Sequence, residues 1–240
     1  STDILAVVLL LNKCGLEEVL PVVPLFESLE DLESAAWTLE RLLRISWYTN
    51  YINGHQQVMI GYSDSAKDGG QMAAAWAQFK AQEELVAVAE KYGIKLTILH
   101  GRGGTVGRGG APTRAAILSQ PAGSVRNSIR LTEQGEVIRF KYGSAPLAIK
   151  NLDIILSSTI EASITSPPTP RDNWRGLMDR LSETAASSYK ESIQENNLFV
   201  DYFEQSTPEN ELSSLALGDV NSEHRTKRRS IEELRAIPWV

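Results

Sequence analysis

Short apolar runs alternate with stretches of helical spacing through the first two-thirds of the chain, and this pattern constrains the fold more than any other feature. Val22 to Phe26 is apolar, with Pro24 inside it, and Leu32, Ala36, Leu39 and Leu43 then recur at helical spacing from Leu29 onward. Val58 to Tyr62 predicts the next strand, Met72 to Tyr92 a long helix ended by Gly93, and Lys95 to Leu99 a third strand. A short helix is expected from Thr113 to Ser119, and short strands at Ile129 to Leu131 and Val137 to Phe140. Strand, loop and helix in repetition imply parallel strands joined by crossover helices, an α/β fold. Sheets of that kind gather functional groups at the carboxyl ends of their strands.

The pattern changes after Ser166, which divides the chain into residues 1–165 and 166–240. Pro167, Pro168 and Pro170 punctuate the sequence, and Trp174 to Glu195 reads as one long helix. Thr207 is placed to cap a further helix, and Gly218 to Ser230 reads as an exposed polar loop carrying Lys227-Arg228-Arg229. Both ends look cut: there is no initiator Met, and Ala236 to Val240 reads as the opening of a buried strand.

Composition narrows the function classes. Lys+Arg 24 against Asp+Glu 30 leaves a net charge of −6, which argues against a general affinity for nucleic acid or anionic membrane. The single cysteine, Cys14, rules out an internal disulfide framework and fits a reducing compartment. The longest apolar run, Ile4 to Leu11, is far short of the ~20 residues of a spanning helix. A soluble, cytoplasmic chain is the expectation.

Three predicted strand ends carry unusual residues. The first ends in Leu25-Phe26-Glu27, the second in Gly61-Tyr62-Ser63-Asp64-Ser65-Ala66-Lys67-Asp68-Gly69-Gly70. The third opens a glycine-rich loop from His100 to Gly110 that holds Arg102, Gly103, Gly104, Arg108 and Gly109. Glycines let a loop backbone approach a ligand with its N–H groups turned inward, and two nearby arginines can grip a phosphate or a carboxylate. Glu27 and Asp64, one carboxylate at each of two strand ends, suit a divalent cation that fills its shell with water and substrate oxygens. Lys67 adds positive charge beside them. Plainer readings stand next to these: Glu27 as a helix N-terminal charge, Ser63-Asp64-Ser65 as turn and cap chemistry. His55 reads as an exposed turn residue, His224 as a solvated one, and Trp76 and Trp174 as packing residues. Neither a Walker-type phosphate loop nor a dinucleotide-binding glycine pattern is present.

Val58 to Gly70, His100 to Pro112, Thr132-Glu133-Gln134-Gly135-Glu136 and Leu234 to Trp239 together resemble phosphoenolpyruvate carboxylase of the bacterial and plant type. The likeness runs from about Asp3 to Val240, strongest between Leu20 and Gly143, and suggests a central-to-C-terminal piece of a longer chain. It implies that residues 1–165 form part of a β/α (TIM-type) barrel, followed by a helical segment, a mobile basic loop and the start of a further strand. It implies the carboxylation of phosphoenolpyruvate by bicarbonate to oxaloacetate and phosphate, by way of carboxyphosphate and the enolate of pyruvate. The cofactor would be Mg²⁺ or Mn²⁺, without biotin. Glu27 and Asp64 match the family's metal carboxylates, Lys67 an active-site lysine, and Arg102, Arg108 and Arg235 its active-site arginines. Gly103, Gly104 and Gly109 belong to the phosphate-binding loop. Arg108 also matches the residue through which family members sense aspartate or malate, and His100 is positional rather than a base. A homo-oligomer, a tetramer in the family, is implied for the full-length protein.

Two departures matter. The family's Thr-Ala-His-Pro-Thr motif, source of the catalytic histidine, is absent, since the only histidines are His55, His100 and His224. The loop ahead of the last strand lacks the family's Gly-Ser-Arg-Pro and later Gly-Gly, although Lys227 to Arg229 are kept. The 240-residue chain alone is therefore expected to be inactive and poorly stable. The alternative is a stand-alone, non-catalytic protein derived from that family, binding phospho-ligands or organic acids.

Overall fold

The structure, a computed structural model, describes residues 2–15, 20–101, 112–133, 135–165, 167, 170–196 and 198–207. Its centre is a four-stranded parallel sheet in which chain order equals spatial order: β1 (Leu25–Phe26), β2 (His55–Ile60), β3 (Lys95–His100) and β4 (Arg130–Leu131). In register, Phe26 lies beside Ile60, Ile60 beside His100, and His100 beside Leu131. All four strands therefore end at one edge. An α/β architecture with crossover helices is the one expected, and a parallel sheet of this order is compatible with part of a barrel.

One face of the sheet is covered by helices. α2 (Leu29–Leu43) starts from a reciprocal cap: Ser28 Oγ accepts from the Asp31 N–H at 3.1 Å, and the Asp31 carboxylate accepts from the Ser28 N–H at 3.2 Å. Leu32, Leu39 and Leu42 on α2 and Leu85 on α4 (Ser63–Lys91) meet Val58, Ile60 and Ile98 of the sheet in the main core. α3 (Ser46–Ile52) adds the buried Tyr48, whose hydroxyl donates to Gln56 Oε1 at 2.8 Å, so the buried amide beneath the sheet is satisfied. The opposite face, carrying Leu25, Gln57 and Met59, is left partly open; Leu25 is 45% exposed. Strands of a parallel sheet are normally covered on both faces.

The remaining helices are α1 (Thr2–Lys13), α5 (Thr113–Leu118), α6 (Gly135–Tyr142), α7 (Ala145–Ile164), α8 (Asp172–Tyr189) and α9 (Phe199–Ser206). α8 lies along α4, held by a two-pronged Arg175–Glu83 pair at 2.7 Å and by Trp76 Nε1 donating to Asp179 at 2.7 Å. Among the described residues no helix is long and apolar enough to cross a membrane.

Several elements differ from the sequence expectations. Val137 to Phe140 lies in α6, not in a strand, because four residues carry no period long enough to separate the two. The first strand shortens to Leu25–Phe26, although the Pro24 carbonyl still accepts from the Met59 N–H at 2.7 Å. α4 begins at Ser63, nine residues earlier than Met72, and is interrupted at Gly70. The helix foreseen to Glu195 stops at Tyr189 and continues as a wider turn, Lys190–Gln194, whose carbonyl at Lys190 accepts from the Glu195 N–H five residues on. His55 is a half-buried β2 residue, its Nε2 2.9 Å from Thr97 Oγ1, and the turn before it is made by Asn53 and Gly54. Burial lowers its pKa from the usual imidazole range. Trp174 is 48% exposed under the Arg171 guanidinium rather than packed, whereas Trp76 is buried and stacks on Phe79. Thr207 ends α9; the helix expected to follow it lies outside the described residues, as do the 218–230 loop and His224.

Candidate functional site

The shared carboxyl edge of the sheet follows from register alone. Since Phe26 pairs with Ile60, the next residues, Glu27 and Gly61, emerge side by side. The Gly61 N–H donates to the Phe26 carbonyl at 2.9 Å, so the pairing persists past the last strand residue. A Cβ at position 61 would stand 2.5 Å from Glu27 Cγ, and only glycine lets the Glu27 side chain lie across the end of β2. There its carboxylate accepts from Ser63 Oγ at 3.2 Å. Asp64 follows at once, so the two candidate metal carboxylates stand on neighbouring strand ends.

Asp64 sits in the first turn of α4, where a negative charge is favoured by the helix dipole. Its side chain is half exposed, and Lys67 Nζ lies 3.4 Å away while being itself only 20% exposed. An acidic group open to a ligand and a cation held over it make an arrangement suited to an anionic ligand bridged through a divalent ion. Among the described residues no group of three or more His, Cys, Asp or Glu is placed to hold a metal. Two carboxylates are nonetheless what Mg²⁺ or Mn²⁺ commonly takes from a protein when substrate oxygens and water complete the shell, so this donor set fits such an ion.

His100 closes β3 at the same edge, 1% exposed, with its Nδ1 2.9 Å from the Tyr62 hydroxyl. That contact ties the third strand end to the second. Gly101 then continues the sheet, its N–H donating to the Ile60 carbonyl at 2.9 Å, and aims the chain into the glycine-rich loop. Arg102, Gly103, Gly104, Arg108 and Gly109 lie outside the described residues, as does Arg235. At the fourth strand end Glu133 is engaged by Lys141 at 2.8 Å.

Several residues that sequence reasoning passed over support this edge. Gln78, buried on α4, donates to the Gly61 carbonyl at 3.1 Å and to Ser65 Oγ at 3.3 Å, pinning the strand end to the helix that carries Asp64. Asp68 Oδ2 accepts from the Leu29 N–H at 3.1 Å, joining the same turn to the start of α2. From the other side Gln194 Nε2 donates to the Lys67 and Asp68 carbonyls, both at 3.0 Å. The Tyr189 ring lies against Gly70, and its hydroxyl is buried without a hydrogen-bond partner among the described residues. Burial first, and the nearby Asp68 charge second, push the phenol's pKa up. The available sequence signal is the pair Gly69-Gly70 just ahead of the expected helix at Met72, since paired glycines mark a break or a close approach.

Comparison with known proteins agrees with these motifs. The family profile described as phosphoenolpyruvate carboxylase matches residues 1–240. The chain is 54% identical over 239 residues to a phosphoenolpyruvate carboxylase of Hahella chejuensis, 52% over 239 to that of Marinobacter nauticus, and 50% over 240 to that of Histophilus somni. Each alignment takes in 100% of this chain and 27% of the relative, so the chain spans about a quarter of the length of the curated relatives it matches.

Proposed function

Because the chain belongs to the phosphoenolpyruvate carboxylase family, we propose that it forms the metal- and phosphate-binding part of such an enzyme, which carboxylates phosphoenolpyruvate with bicarbonate to oxaloacetate and phosphate. The observation that carries this reading is the meeting of Glu27 and Asp64 at adjacent ends of a parallel sheet, with Gly61 leaving room for the first and Lys67 beside the second. In this reading Glu27 and Asp64 hold Mg²⁺ or Mn²⁺. Bound there, the ion supplies positive charge that offsets the phosphate and the charge developing on the enolate oxygen.

The chain's own groups do the rest of the positioning. Lys67 adds a fixed cation at the substrate's anionic end. Arg102 and Arg108, with the backbone N–H groups of Gly103, Gly104 and Gly109, hold phosphate and then carboxyphosphate, and Arg235 joins them. Arg108 doubles as the contact for aspartate or malate as feedback inhibitor. His100 is buried and hydrogen-bonded with Tyr62, which fits a role in shape rather than proton transfer. The base is then supplied by the rest of a longer polypeptide, which also completes the barrel over the open sheet face, and the 240-residue chain does not turn over alone. Full-length subunits associate as a cytoplasmic homo-oligomer in this reading.

The test is metal binding by the full-length enzyme carrying Asp64→Asn, which keeps the shape and removes the charge. Loss of a partner that only orients a metal ligand typically costs about 10–100-fold in affinity, so loss of a ligand should weaken Mn²⁺ binding by about a hundredfold or more and abolish carboxylation. Electron paramagnetic resonance of free Mn²⁺ reads the affinity directly. Unchanged affinity overturns the assignment of Asp64 as a ligand.

A further inference from the structure

Gly70 has φ 79° and ψ 166°, a conformation almost confined to glycine, and it interrupts α4 after its second turn. The interruption detaches the Ser63–Gly69 segment, which carries Asp64 and Lys67, from the ladder of the long helix behind it. In an unbroken helix the Lys67 and Asp68 carbonyls would accept from the N–H groups four residues on. Here the Gln194 side-chain amide donates to both, from a turn 127 residues later in the chain than Lys67. The Tyr189 ring stands 3.1 Å from where a Cβ on Gly70 would be, so it packs directly on the interruption. Asp68 anchors the same segment to the start of α2 through the Leu29 N–H. The segment thus depends on two distant elements for its orientation.

We propose that Tyr189 and Gln194, at the end of α8 and in the wide turn after it, are positioning residues that set the orientation of the Asp64–Lys67 segment toward the metal and phosphate. The proposal rests on the reading of Asp64 and Lys67 given above. Neither residue touches substrate; each acts through the backbone of residues 67–70. Gln194 holds the two carbonyls just ahead of the break, and Tyr189 wedges the break into one geometry. The wide turn itself explains how Gln194 gets there, because a fifth residue in the turn displaces its side chain from the line a regular helix would follow.

The experiment compares Gln194→Leu, Tyr189→Ala, Tyr189→Phe and Asp64→Asn in the full-length enzyme, with Mn²⁺ affinity and kcat and KM for phosphoenolpyruvate as readouts. Gln194→Leu and Tyr189→Ala are each expected to weaken Mn²⁺ binding by about tenfold, the effect typical of a residue that orients a metal ligand. Much of the lost rate should return at high Mn²⁺. Tyr189→Phe keeps the ring and removes only a hydroxyl that has no hydrogen-bond partner among the described residues, so it should restore the affinity that Tyr189→Ala loses. Gln194 is exposed, so Gln194→Leu decides the matter even where Tyr189→Ala fails to fold. Reduced affinity in Asp64→Asn with unchanged affinity in Gln194→Leu overturns the positioning role alone. Unchanged affinity in Asp64→Asn overturns the site reading, and the positioning role with it.

Discussion

Residues 25–100 and residues 135–207 are built on different principles. The first region closes its own core: α2 and α4 pack on one sheet face, and Leu32, Leu39, Leu42, Ile60 and Leu85 are each at most 1% exposed. The second has long helices with almost no interior. α8 contains no buried residue, and α7 buries only Ser158 and Thr159 while Ile149, Leu152, Leu156 and Ile160 are each more than half exposed. Its attachment to the first region includes the polar pairs Arg175 with Glu83 and Trp76 with Asp179, together with Tyr189 and Gln194 against residues 67–70. The difference teaches that burial fixes where the strand ends lie, whereas the second region buries little of its own surface yet touches the segment that carries Asp64.

One substitution made in both regions should expose this most sharply. Leu85→Ala removes a fully buried side chain and should cost about 2–5 kcal/mol, whereas Leu156→Ala, at a position 61% exposed, should change stability by no more than about 0.5 kcal/mol. Urea unfolding of the 240-residue chain reads both. A large loss from Leu156→Ala would show that α7 is covered in solution, and the comparison would break. Arg175→Ala should come next in size. The pair with Glu83 is two-pronged but about a third exposed on the arginine side, so solvent screening holds the loss to about 1 kcal/mol or less. The loss should shrink further as salt is raised, and a loss comparable to Leu85→Ala would mean that α8 is part of the main core.

What the sequence made legible follows the same division. Leu29–Leu43 was readable to the residue, because Leu32, Ala36, Leu39 and Leu43 recur at helical spacing. β2 and β3 were found to within three residues, since buried parallel strands are continuous apolar runs. That Glu27 and Asp64 follow neighbouring strands was legible in the sequence, since each comes just after an apolar run, and β1 and β2 do pair. α6 and the position of His55 were misread because a few residues show no usable period, and a turn at Asn53-Gly54 places the next residue in the strand. α7 went unforeseen, its apolar residues lying along a helix with little to pack on. The grip of Gln194 on the Lys67 and Asp68 carbonyls depends on a side chain meeting backbone across 127 positions, and no local pattern announces such a contact.

The smallest effect concerns the solvent edge of the first region, where α2 meets the end of α4. Glu40 accepts from Lys91 and from Arg44, both at 2.8 Å, and these hydrogen bonds, with the two positive charges, hold its carboxyl at about 2 against an ordinary value of 4.5. A carboxyl whose folded pKa lies below its unfolded one binds fewer protons in the folded state. Its stabilising contribution is therefore complete above about pH 4.5 and is lost as the pH falls toward about 2. Glu40→Gln should leave unfolding at pH 7 only slightly easier, because exposed ion pairs contribute little, and should flatten the fall in stability between pH 4.5 and 2. Thermal unfolding across that range separates the cases. An acid slope identical in Glu40→Gln and the unaltered chain would mean that carboxylates elsewhere, and not Glu40 with its two cations, set the acid limit of the sheet region.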